Sequence, residues 1–169
     1  MTSYELLSDA FGRVREAVID VLDGLTPEQL TYRPDSEANS IAWLVWHLTR
    51  VQDDHVAAAV GAEQVWSSRG WAGRFELPLP ISDTGYGHSA QQVGVVTSDA
   101  GRLLGYFEAV HEATLGYVRQ LTDDDLDRVV DERWDPPVTL GVRLVSVIAD
   151  DLQHTGQAAY LRGILERRS

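Results

Sequence analysis

Near its C-terminal end the chain reads A-D-D-L-Q-H-T-G-Q, with Asp150 and His154 four residues apart. On a helix that spacing sets a carboxylate and an imidazole on one face, where both can converge on a single point. Histidine and carboxylate together are metal-ligating or acid–base chemistry, and a helix carrying both offers two ligands at once. The surroundings are apolar. Turned at about 100° per residue, Leu140, Leu144, Val147, Ala158, Leu161 and Leu165 form a stripe that contains Asp151 and His154 and has Asp150 at its edge. Charged groups inside such a stripe are costly unless compensated, and the wheel leaves either aspartate as the partner of His154.

A second imidazole lies far upstream. In W-L-V-W-H-L-T-R, His47 sits in the middle of an apolar run between Trp46 and Leu48. A neutral core histidine bonded to a carbonyl is the plain reading of that residue taken alone. Two polar clusters on the two most apolar helices are better explained together: if the helices are neighbours, His47, Asp150 and His154 meet. Two imidazoles and a carboxylate leave a coordination position open, a set that suits zinc first and also nickel or iron. His55, eight residues after His47, falls on a nearby face and is a candidate pocket residue or support for the ligands. His111 reads as a packed core histidine, and His88 has no partner at a useful spacing. Asp53 and Asp54 read as the polar end of their helix.

Composition removes other chemistries. All 14 basic residues are arginine, so this chain offers no lysine for a Schiff base. It has no cysteine, which excludes disulfides, thiolate nucleophiles and sulfur ligands of its own. The formal net charge of −12 and the lack of a basic stripe argue against nucleic acid. No apolar run is long enough for a membrane span. The N-terminal stretch carries Glu5 and Asp9 with no basic region before an apolar one, which predicts no signal peptide and a cytoplasmic protein.

Four long helices must position the candidates. The first runs from about Ser3 to Asp23, followed by a capped turn at T-P-E-Q-L. The second begins near Asn39 or Ser40 and stops at Gly61. A long irregular segment from Gly61 to Thr97 then carries glycines, prolines and aromatics, with a short helical piece near Ser89 to Val93. It is expected to pack over the mouth of a pocket. The third helix, capped at Ser98, reaches about Leu121. Asp131 to Val138 reads as a loop, and Thr139 caps the last helix. The expectation is an all-α, antiparallel four-helix bundle forming a single domain over residues 1–169.

Three stretches resemble the DinB-like superfamily of four-helix metalloproteins, whose members include mycothiol-dependent isomerases and S-transferases. They are N-S-I-A-W-L-V-W-H-L-T-R-V-Q-D-D-H from Asn39 to His55, D-x-x-x-H-x-G-Q from Asp150 to Gln157, and the T-P-E-Q-L turn. The resemblance implies His47, Asp150 and His154 as metal ligands and so selects Asp150 over Asp151, which becomes a supporting residue. Aspartate is a departure, since the family commonly has histidine or glutamate there. The resemblance further implies a divalent metal and mycothiol as thiol cosubstrate. The thiol would attack an electrophilic small molecule, with His55, Tyr160 and Arg162 as pocket residues and a homodimer as the assembly. A metal-dependent hydrolase on the same scaffold is the first alternative, and a non-catalytic dimeric metal-binding module linked to stress the second.

Overall fold

The computed structural model describes residues 1–168. Four long helices carry the architecture: α1 (Ser3–Leu22), α3 (Ile41–Val60), α7 (Ala100–Val118) and α8 (Leu140–Glu166). Four short ones lie between them: α2 (Pro27–Thr31), α4 (Val65–Ser68), α5 (Trp71–Phe75) and α6 (Ala90–Gly94). Local chemistry sets the boundaries. Thr2 and Glu5 form a reciprocal capping box at α1, and Thr26 with Gln29 and Ser89 with Gln92 do the same for α2 and α6. Ser40 caps α3, which ends at Gly61 in the left-handed conformation at φ 66°. The third long helix starts one residue later than expected, because Asp99 rather than Ser98 accepts from the Arg102 amide.

Side-chain contacts fix the helix directions. Arg162 of α8 donates to the carbonyls of Asp20, Val21 and Asp23 at the end of α1. At the other end of the pair, Leu7 and Phe11 share a cluster with Leu140 and Leu144, so α1 and α8 are parallel. Arg15 pairs with Glu108 at 2.7 Å and Ser3 bonds Asp123, making α1 and α7 antiparallel. His47 lies beside His154 and His55 beside Arg143, so α3 and α8 are antiparallel. Parallel packing of α3 on α7 follows. α1 and α3 each pack on both α7 and α8. The long helices thus run up, down, down and up, correcting the expected all-antiparallel arrangement.

That order explains the length of the segment between α3 and α7. A 19-residue helix spans about 28 Å, and the chain must return that distance before starting α7. The return is packed, not irregular. It contains α4, α5 and α6, and its Trp66 and Phe75 are buried against Tyr106. Asp53, expected on a polar helix end, is buried and accepts hydrogen bonds at 2.8 Å from the Val65 and Trp66 amides and from the Tyr106 hydroxyl. Beside it the buried guanidinium of Arg50 donates to the Asp83 carbonyl and to Gln64 Oε1, and lies 5.0 Å over the Trp66 ring. These two residues of α3 tie both halves of the crossover to the bundle.

The stretch expected as a loop before α8 is the loop of a small hairpin, with only its end residues Asp131 and Val138 in strands. β1 (Val129–Asp131) pairs antiparallel with β2 (Val138–Thr139), placing Asp131 opposite Val138. Among the described residues no helix is long and apolar enough to cross a membrane.

Candidate metal centre

His47 and His154 face each other across the α3/α8 seam, their ring centroids 4.8 Å apart and their planes at 75°. Asp150 completes the group. One ligand atom each from His47, Asp150 and His154 lies within 4.8 Å of the other two. The structure thus brings together the three residues expected as ligands.

Each imidazole is oriented by a bond on its outer side. His47 Nδ1 lies 2.5 Å from the Thr84 carbonyl, which can only accept, so Nδ1 carries the proton and Nε2 keeps its lone pair. His154 Nδ1 lies 3.1 Å from Gln157 Oε1, which likewise leaves Nε2 facing inward. Outer hydrogen bonds of this kind fix tautomer and ring direction in metal sites. The indole of Trp43 stacks on His47 at 4.6 Å and 12° and presents its edge to His154. Its Nε1 donates to His88 Nδ1 at 3.1 Å.

The electrostatics match a site that exchanges a proton for a cation. The contact with Asp150, whose Oδ1 lies 3.5 Å from Nε2, raises the His154 pKa against the opposing effect of burial. Burial opposes ionisation of Asp150, yet the nearby His154, His47 and His55 outweigh it and lower its pKa. Burial lowers the His47 pKa and favours its neutral form. Asp150 Oδ2 is buried with no hydrogen-bond partner. Two inward Nε2 atoms, a carboxylate and an orphaned carboxylate oxygen fit a divalent cation, which would replace the proton shared by His154 and Asp150.

Asp151 is wholly buried on the core side of α8, and neither of its carboxylate oxygens has a partner. Burial, with Asp150 adjacent, raises its pKa well above the usual carboxylate range. His55 borders a separate cleft of about 370 Å3 between α3, α8 and the hairpin, with Asp131, Arg133 and Arg143 on its other walls. Burial, and next the Arg143 guanidinium, lower the His55 pKa. The remaining two expected pocket residues are placed elsewhere. Tyr160 stands exposed on α8, and Arg162 is spent on the carbonyls ending α1.

Sequence reasoning missed the strap formed by residues 83–88. Asp83 Oδ1 accepts from the Gly85 amide and lies 3.0 Å from His88 Nε2, while the Thr84 carbonyl holds His47. Gly85 has φ +91°, and a Cβ there would sit 2.6 Å from His47 Nδ1. The D-T-G-Y-G-H spacing signals a turn, but nothing in it points to the second long helix.

A bundle whose second and last long helices turn two imidazoles and a carboxylate to one point defines a helical protein with a candidate metal centre. The profile of the DinB superfamily matches residues 10–158, and the chain belongs to that superfamily. It is similar to a crystal structure described as the conserved protein of locus from Enterococcus faecalis. The two are 32% identical, with a TM-score of 0.89 over 96% of each chain. Among curated proteins none matches the chain.

Proposed function

We propose that this protein binds a divalent cation, zinc before nickel or iron, through His47, Asp150 and His154 and uses it on a small molecule. The observation that carries this reading is the convergence of two inward Nε2 atoms with a carboxylate whose Oδ2 has no partner. Three protein ligands leave a position open, as catalytic zinc sites do. A cation there supplies a Lewis acid that lowers the pKa of a bound water or thiol. Thr84 and Gln157 hold the imidazoles in register, and Trp43 shields them on one side. Hydrolysis of a small ester or amide is the reaction that needs nothing further from the chain.

Thiol transfer on the same centre is the second reading, favoured by one feature: a chain without cysteine has no sulfur of its own to compete with an incoming thiol such as mycothiol. One experiment separates the readings. Zinc binding to the purified protein is measured by titration calorimetry, with His47→Ala and His154→Ala as controls. Turnover of a nitrophenyl ester without thiol, and of chlorodinitrobenzene with and without thiol, is then followed on the loaded protein. Equal zinc binding by wild type and both variants overturns the centre. Ester turnover supports hydrolysis, thiol-dependent turnover alone supports transfer, and binding with neither makes the protein a metal-binding module.

A further inference from the structure

The cleft beside His55 lies on the same α3/α8 seam as the metal centre. Arg143 comes seven residues before Asp150, close to two full turns of α8, so both side chains leave that helix on one side, about 10 Å apart. His55 stands between them on α3. Arg143 lies against its ring, and the charges of His55 and Asp150 act on each other. A recess of about 370 Å3, walled by His55, Arg143 and the hairpin, thus opens along the seam from the ligands.

Arg143 is held there with donors to spare. Its side chain is only 16% exposed, and Nη2 donates to Asp131 Oδ2 at 2.9 Å. That carboxylate is shared, because Arg133 donates to both of its oxygens, also at 2.9 Å. Two guanidiniums on one carboxylate leave a positive charge over. Arg143 Nη1 lies 3.4 Å from one ring nitrogen of His55 and 3.5 Å from the other. A donor so nearly equidistant from both is aligned with the lone pair of neither. Arg143 Nε has no acceptor among the described residues. The other carboxylates of the cleft do not answer the charge: Asp54 accepts from Gln64 Nε2 at 2.7 Å, and Glu132 is exposed. Unmet donors on a largely buried cation are costly, and a carboxylate entering the cleft would accept from them.

We propose that this cleft is a carboxylate subsite for the substrate of the metal centre. One end of the substrate presents its reacting carbonyl to the cation, and a carboxylate at the other end, unchanged in the reaction, binds Arg143. Arg143 is the specificity-determining residue, and Asp131 holds it in place. The chain is acidic overall, with a formal charge of −12, so no general attraction brings an anion here and the selection must come from this guanidinium. The two-turn spacing sets the length of the molecule. A chain of about six carbons, with its contacts at each end, covers it, which makes the substrate class the half-esters and half-amides of dicarboxylic acids. The reaction rests on the metal reading above, whereas the subsite itself needs no metal.

Adipate titrated into the metal-free protein tests the subsite alone, since no cation is then present to bind a carboxylate. The ring signals of His55 in proton NMR should shift on binding. Arg143→Gln should weaken binding about tenfold, the effect of one charge-assisted hydrogen bond. Arg143→Lys, which keeps the charge and a partner for Asp131, should retain part of the affinity. On the zinc-loaded protein, mono-nitrophenyl adipate should exceed nitrophenyl hexanoate about tenfold in kcat/KM, and Arg143→Gln should bring the two esters level. Failure of adipate to bind, binding that Arg143→Gln leaves intact, or equal turnover of the two esters by the wild type overturns the subsite. Adipate binding that is lost in Arg143→Gln, with turnover of neither ester, upholds the subsite and counts against the hydrolytic reading alone.

Discussion

The Thr84 carbonyl and the His47 imidazole form a 2.5 Å hydrogen bond that joins the crossover segment to the second long helix. It decides which nitrogen of His47 faces Asp150 and His154. Because the contact is made by backbone, the residue guarding it is its neighbour Gly85.

Gly85→Ala should therefore damage the centre without unfolding the protein. Its Cβ would enter within 2.6 Å of His47 Nδ1 at a backbone angle that only glycine adopts freely. Loss of an orienting partner typically costs 10–100-fold in metal affinity. Zinc titration should show a drop of about that size, with helical content by circular dichroism unchanged.

Asp150 differs from Asp151 in what it does, although the two are adjacent. Asp150→Asn removes the charged ligand and should abolish tight zinc binding. Asp151→Leu removes two orphaned buried oxygens, and such groups cost about 1–3 kcal/mol each when unsatisfied. That variant should bind zinc as wild type does and unfold at higher denaturant concentration. Equal effects of the two substitutions on zinc binding would contradict the assignment.

Asp53→Asn should loosen the crossover. It breaks the pair with buried Arg50 and weakens the caps on Val65 and Trp66. Breaking a buried ion pair costs about 3–5 kcal/mol. Amide exchange should accelerate first across residues 61–75, and Tyr106→Phe, which removes one hydroxyl bond, should do so less.

Asp131 gives the acid limb of stability a definite sign. Hydrogen bonds from Arg133, aided by Arg143, hold its carboxyl well below the usual carboxylate range. A lowered folded value stabilises the protein above the unfolded pKa of about 3.9, and the gain is lost as pH falls below it. The stability gap between wild type and Asp131→Asn should be full at pH 5 and above and shrink toward pH 2, read from urea midpoints.

The long helices were legible because caps and apolar periodicity are local: Thr2, Ser40, Gly61 and Thr139 mark boundaries from sequence alone. Helix direction was not, since whether α7 runs with or against α3 depends on contacts such as Asp53 to Tyr106. The hairpin was missed because its strands are two and three residues long and the intervening W-D-P-P reads as a loop. The three site residues could be picked out because charge inside an apolar run is conspicuous. Thr84 could not, because its contribution is a carbonyl that every residue possesses. Tyr160 and Arg162, which the resemblance implies as pocket residues, follow His154 on the same helix, but its turn sends them outward and toward α1.

The up, down, down, up order also bears on how the molecule comes into being. His47 and His154 are more than a hundred residues apart, and the strap that orients His47 lies between them. Closing so long a loop carries an entropic penalty that local helices do not face. During synthesis α8 emerges after His47 and its strap, so the three side chains cannot meet until α8 has been made. Capture of a cation would then require α8 to have docked on α3, and the ion would lock the earlier-made and later-made halves of the bundle together.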